Sequence, residues 1–174
     1  MVDFAFIVEN VSYHPECSPK PCVKGNVSKD KNLGAKKMSI EKTYGMIKPD
    51  GVRKGFTGKI IDRIEQEGFN IVAMKKIEFD KDLAELFYEV HREKPFFDEL
   101  VENITAGPVV AMVLEKENAI SAWRELMGST NPDEAAENTL RKLYGENIGK
   151  NAVHGSDAPA TAETEIKLIF PDLY

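Results

Sequence analysis

The chain has 174 residues, 42% hydrophobic and 30% charged, which suits one compact domain with room for an appendage and argues against disorder throughout. No apolar run approaches the roughly 20 residues that a transmembrane helix needs. A net charge of −6 argues against general nucleic-acid binding through a basic face. The opening residues Met1 to Glu9 hold no basic stretch and their apolar run is broken by acids, so they make a poor signal peptide and a cytoplasmic protein is expected.

The charge is uneven. Residues 1–37 carry six lysines against four acids, so the remainder has a net charge of −8. If that remainder handles phosphates, it must do so with a few positioned cations inside a cleft. The first segment also holds three prolines and both cysteines, Cys17 and Cys22, with no sustained hydrophobic period after Val11. Two thiols are too few for a zinc site unless His14 and another ligand join them, and they read more naturally as free thiols. We therefore expect residues 1–37 to be a poorly ordered N-terminal extension, or the product of an upstream start codon. Residues 38–174 form the domain.

From Lys42 a short apolar run leads to Lys48 at a strand-to-loop junction, followed by the turn cluster Pro49-Asp50-Gly51. Ile60, Ile61 and Ile64 mark one face of a helix between Gly55 and Gly68, with Thr57 as candidate N-cap. Gly58-Lys59 is not a phosphate-binding P-loop, because Ile60 stands where Ser or Thr is required and position 53 is not glycine. Phe69 to Phe79 predicts a second strand, Asp80 caps a helix through Val90, and a second short helix begins at Phe96. Gly107 to Leu114 is the most apolar stretch and predicts a buried strand, with a helix after it from Glu117 through Leu126. Pro132 to Glu137 reads as a short helix, Asn138 to Gly145 as irregular or helical, and Ile148 to His154 as the last strand. A final helix spans Pro159 to Phe170.

This order predicts an α+β fold of the ferredoxin-like βαββαβ type: a four-stranded antiparallel sheet with extra helices and the helices on one face. Near the end stands Asn151-Ala152-Val153-His154-Gly155-Ser156-Asp157. A histidine followed by glycine leaves one face of the imidazole open to something bulky, with a hydroxyl and a carboxylate nearby to orient the ring. Alone, the stretch also fits a structural histidine.

Six segments together carry a resemblance: Ile47 to Val52, Tyr88-x-x-His91-x-x-x-Pro95-Phe96-Phe97, Gly107-Pro108-Val109, Arg124-x-x-Met127-Gly128-x-Thr130-Asn131-Pro132, Thr139-Leu140-Arg141, and Asn151 to Asp157. In order and spacing, from about Thr43 to Pro171, they resemble nucleoside diphosphate kinases. The resemblance implies transfer of the γ-phosphate of a nucleoside triphosphate, mainly ATP, to a nucleoside diphosphate in ping-pong fashion, through a phosphohistidine on His154 and with Mg²⁺. An imidazole, whose ordinary pKa is about 6.5, is mostly neutral at pH 7 and can attack phosphorus without a separate base.

By the same resemblance Glu165 accepts the hydrogen bond on the Nδ1 side of the ring, with Ser156 close by. Lys48, Arg124 and Arg141 bind phosphates and Thr130 donates a hydroxyl. Asn151 and Lys48 contact the ribose hydroxyls, Tyr88 lines the pocket beside His154, and the base stacks on Phe96. Mg²⁺ rides on the nucleotide's phosphates with few protein ligands. A homo-oligomer, tetramer or hexamer, is implied, with neither membrane nor nucleic acid as partner. The chain departs from the family where Asn138 replaces a frequent Gly, and where Leu143 and Tyr144 replace an Asp-Phe pair. Both departures lie in the loop implied to join subunits. The alternative is an inactive nucleotide-binding or scaffold protein of the same fold, although a pure binder has no use for a nucleophile.

Overall fold

The computed structural model describes residues 40–173. The expectation of a poorly ordered extension over residues 1–37 lies outside them. The described elements are four strands, β1 (Ile40–Ile47), β2 (Asn70–Ile77), β3 (Val109–Glu117) and β4 (Val153–Gly155), seven α-helices and two short 3-10 helices (Glu89–His91 and Pro171–Leu173). The α-helices are α1 (Pro49–Arg53), α2 (Thr57–Gln66), α3 (Lys81–Phe87), α4 (Phe97–Thr105), α5 (Ala119–Met127), α6 (Leu140–Tyr144) and α7 (Pro159–Ile169). The sheet order is β2-β3-β1-β4 with every neighbouring pair antiparallel, as the βαββαβ order requires.

The helices do not keep to one face, contrary to the sequence expectation. Alternate residues of β3 point to two separate cores: Val109, Ala111 and Val113 to one, Val110, Met112 and Leu114 to the other. The first core is closed by Phe87, Val101 and Ile166 of α3, α4 and α7, the second by Ile60, Trp123 and Leu140 of α2, α5 and α6. This explains why β3 reads as an unbroken apolar run: a strand covered on both sides has no polar phase.

Local departures have local causes. Pro49-Asp50-Gly51 is not a bare turn, because Pro49 occupies the first position of α1, where a missing N–H costs nothing. Thr57 is the first helical residue of α2, and no side chain caps that helix. Asp80 does cap α3, accepting the Leu83 amide at 2.8 Å. Residues 132–137 form successive turns instead of a helix, with Glu134 and Ala135 amides donating to the Asn131 and Pro132 carbonyls. The last strand is three residues long because the chain folds back on itself at Ala152. Among the described residues no helix is long and apolar enough to cross a membrane.

Candidate active site

Strand β4 pairs with β1 so that His154 stands opposite Met46 and Val153 opposite Ile47. This brings the C-terminal end of β1, where Lys48 begins the turn into α1, against the segment that carries Asn151 and His154. Around that junction lies a cleft of about 850 Å³. Lys48, Tyr88, Phe96, Arg124, Thr130, Arg141, Asn151, His154 and Glu165 all line it. Of the sequence-predicted residues only Ser156, buried at 2% exposure, stands behind the wall.

The imidazole is held on one nitrogen. Nε2 of His154 donates to Oε1 of Glu165 at 2.9 Å, and the second oxygen of Glu165 accepts the Ser156 hydroxyl. The family resemblance implies Glu165 on the Nδ1 side. The geometry reverses this, because α7 approaches the ring from the Nε2 edge and leaves Nδ1 without a partner among the described residues. Three aromatic rings support the histidine, with centroids at 5.2 Å for Phe87, 6.1 Å for Tyr44 and 6.4 Å for Tyr88. Burial first, and then the nearby Glu165 carboxylate, push both tyrosine hydroxyls up in pKa, so both stay neutral donors at any physiological pH.

Gly155 has a different reason from the one its sequence position suggests. A Cβ built there would lie 2.2 Å from Nε1 of Trp123 and 2.8 Å from Cε of Met127. The missing side chain makes room for α5 beneath the strand, and does not open a face of the imidazole.

The cations are placed singly, each by its own backbone anchors. Lys48 is 6% exposed and donates from Nζ to the Gly149 carbonyl at 2.5 Å and to Oδ1 of Asn151 at 3.1 Å. Burial pulls its pKa down to about 8, opposed by the nearby Asp50 carboxylate and assisted by Arg141. Arg141 donates to the Gly128 carbonyl at 2.8 Å and the Val153 carbonyl at 3.3 Å, while its Nε is buried without a partner among the described residues. Burial, and then the like charge of Arg124, bring it down to about 10. Arg124 stays exposed at the rim. Asn151 is bound on both sides of its amide, donating from Nδ2 to the Thr130 carbonyl at 3.0 Å. Toward the mouth, Phe96 is 46% and Ile148 61% exposed, both in the cleft lining.

This arrangement can bind a polyanion and offer it one free imidazole nitrogen, and comparison with known proteins agrees with it. A family model described as nucleoside diphosphate kinase matches residues 41–173. The chain belongs to the nucleoside diphosphate kinase family. A relative named nucleoside diphosphate kinase in Persephonella marina is 55% identical over 136 residues, covering 78% of this chain and 97% of its own length. The Aquifex aeolicus nucleoside diphosphate kinase superposes with a TM-score of 0.76 at 50% identity, covering 78% of this chain and 98% of that one. A halophilic nucleoside diphosphate kinase from Halobacterium salinarum, solved in complex with CDP, gives a TM-score of 0.73 at 45% identity over 76% of this chain and 88% of its own.

Within this nucleoside diphosphate kinase fold, some residues that shape the site escaped the sequence reading. Asp50, 4% exposed, accepts the Ala152 amide at 2.9 Å. Trp123 donates from its indole N–H to the His154 carbonyl at 3.2 Å. The Gly149 carbonyl holds Lys48. The tryptophan carried a usable signal, since a buried indole needs an acceptor. A backbone carbonyl such as that of Gly149 leaves no trace in sequence.

Proposed function

We propose that this protein moves the terminal phosphoryl group of a nucleoside triphosphate to a nucleoside diphosphate by way of phosphorylated Nδ1 of His154. The observation that carries the reading is the hydrogen bond from Nε2 to Glu165, which fixes the tautomer with its lone pair on Nδ1. In the first half-reaction that lone pair forms an N–P bond to the γ-phosphorus, and the bond to the β,γ-bridging oxygen breaks. The diphosphate leaves, and the imidazolium keeps its Nε2 proton toward Glu165. In the second, a terminal oxygen of another diphosphate forms the new O–P bond, the N–P bond breaks, and neutral His154 returns.

Such a transition state is loose, with negative charge spread over the phosphoryl oxygens and the leaving oxygen, so positioned cations do most of the work. Lys48, Arg124 and Arg141 suit that role, the arginines through their two-pronged fork. Thr130 supplies a hydroxyl, and Asn151 with Lys48 suits the ribose hydroxyls. Phe96 offers its face to the base from one side of the cleft mouth, and Ile148 an apolar wall in the same lining. Mg²⁺ belongs with the substrate. Among the described residues no three His, Cys, Asp or Glu side chains converge, so the ion would enter with the nucleotide and would supply charge neutralisation at its phosphates.

We also propose a homo-oligomer, tetramer or hexamer, a reading supported by the edge position of β2, unpaired on its outer side among the described residues, with Met74 half-exposed on it. Sedimentation at micromolar concentration tests it, and a monomer would reject it. For the chemistry, labelled MgATP should leave an acid-labile, base-stable phosphoryl group on the protein, discharged by GDP and absent in His154→Ala. Label persisting in that variant would remove the mechanism, and binding without turnover would favour a scaffold.

A further inference from the structure

Asp50 has no part in the chemistry above, yet it is almost wholly buried at the second position of α1. A carboxylate is taken out of water only against compensating bonds, so its partner deserves weight. That partner is the amide of Ala152, 102 positions along the chain, which donates to Oδ2 at 2.9 Å. Ala152 has φ 66°, a region that a residue with a Cβ rarely adopts. The Val153 amide folds back onto the Asn151 carbonyl at 2.8 Å, so Ala152 is the centre of a γ-turn. Its own carbonyl accepts the Lys48 amide at 2.9 Å, and a Cβ at Gly51 would come within 3.1 Å of that oxygen. Helix α1 and the turn thus pack backbone against backbone.

The residues on either side of this turn are those of the proposed site. Asn151 just before it bonds Lys48 and the Thr130 carbonyl. Val153 and His154 just after it enter β4 opposite Ile47 and Met46. A turn that relaxed to an ordinary conformation would swing Asn151 relative to His154.

We propose that Asp50 is a positioning residue for phosphoryl transfer, whose carboxylate latches the Asn151–Ala152–Val153 turn and so keeps Asn151 and His154 in register with Lys48. The inference rests on the reading of His154 as the nucleophile. The same carboxylate is also the leading charge that favours protonated Lys48 against the effect of burial.

The test is rapid-quench measurement of His154 phosphorylation over a range of MgATP concentrations, alongside thermal melting. It compares the wild type with Asp50→Ala, Asp50→Asn and the double variant Asp50→Ala/Ala152→Gly. Asp50→Ala should lower the limiting rate about 100-fold, the scale of a misplacement of roughly 1 Å at a reacting group. Asp50→Asn, whose amide oxygen still accepts the Ala152 N–H, should stay within about tenfold of the wild type. Glycine adopts positive φ freely and so keeps the turn without the latch, and the double variant should regain both melting temperature and most of the limiting rate.

A folded Asp50→Ala protein with the wild-type limiting rate would overturn the inference. So would a double variant that regained melting temperature while its phosphorylation stayed as slow as in Asp50→Ala, because the loss would then not run through the turn. Failure of the wild type to label on His154 would overturn the nucleophile reading and this one with it, whereas the first two outcomes overturn this one only.

Discussion

Trp123 occupies the space that a side chain at position 155 would need: the Cβ of any residue replacing Gly155 would lie 2.2 Å from the indole nitrogen, which itself donates to the His154 carbonyl. The strand carrying the histidine therefore rests on the α5 tryptophan. Gly155→Ala should destabilise the protein by about 1–3 kcal/mol, the usual effect of overpacking a core, and lower the melting temperature by roughly 2–4 °C per kcal/mol. Denaturant and thermal unfolding check this. An alanine variant as stable as the wild type would mean that α5 can withdraw without strain.

The bond from Nε2 of His154 to Glu165, backed by Ser156, fixes which nitrogen is free. Glu165→Gln can still accept at one oxygen but carries no charge to stabilise the imidazolium. Phosphoenzyme formation should slow about 10- to 100-fold, the worth of a hydrogen bond to a charged group. Ser156→Ala removes only the outer member and should cost less than Glu165→Gln. Single-turnover labelling ranks the two, and a reversed ranking would show that the hydroxyl acts on the substrate directly.

Much of this was legible in the sequence because strands and helices were marked by period, caps and breaks, and because the site residues sit in short dense motifs. Lys48, Asn151 and His154 could be paired on paper, and they share one cleft. The faces of the sheet were less legible. A run such as Val109 to Leu114 says that a strand is covered on both sides only once two cores are seen to flank it. The Nε2 contact was misjudged because the approach of α7 to the ring is a tertiary fact. Asp50 escaped notice because a turn-like Pro-Asp-Gly gives an ordinary local role to a carboxylate whose partner is 102 residues away.

Burial brings Lys48 to about pH 8 in the free protein. Its folded value lies below the usual lysine value of 10.5, so the unfolded chain holds this proton more tightly. The side chain thus weakens the fold while charged, below about pH 8, and that penalty is relieved as pH rises from about 8 toward 10.5. On the proposed role of Lys48, activity moves the other way, since only the ammonium can serve a phosphate. The quotient kcat/KM for MgATP should fall as pH rises through about 8, and the fall should be absent in Lys48→Arg, whose guanidinium does not titrate in this range. A nucleotide bound as proposed would add negative charge beside Lys48 and should move the corresponding limb of kcat to higher pH. An alkaline limb unchanged in Lys48→Arg would assign it to another group.

Phe96 is 46% exposed at the cleft mouth, flanked by the His91 ring at 5.9 Å, and contributes little to either core. Its removal should therefore leave stability within about 0.5 kcal/mol of the wild type, as for surface positions generally. Stacking on an aromatic face is worth about 1–3 kcal/mol per base and depends little on which base it is. Phe96→Ala should then raise KM about 5- to 150-fold for purine and pyrimidine diphosphates alike, while the rate at saturation changes much less. Steady-state kinetics with ADP, GDP, CDP and UDP decides the matter. A loss confined to purines would mean that the ring reads base size, and a loss confined to the saturating rate would place Phe96 in the positioning of the phosphates.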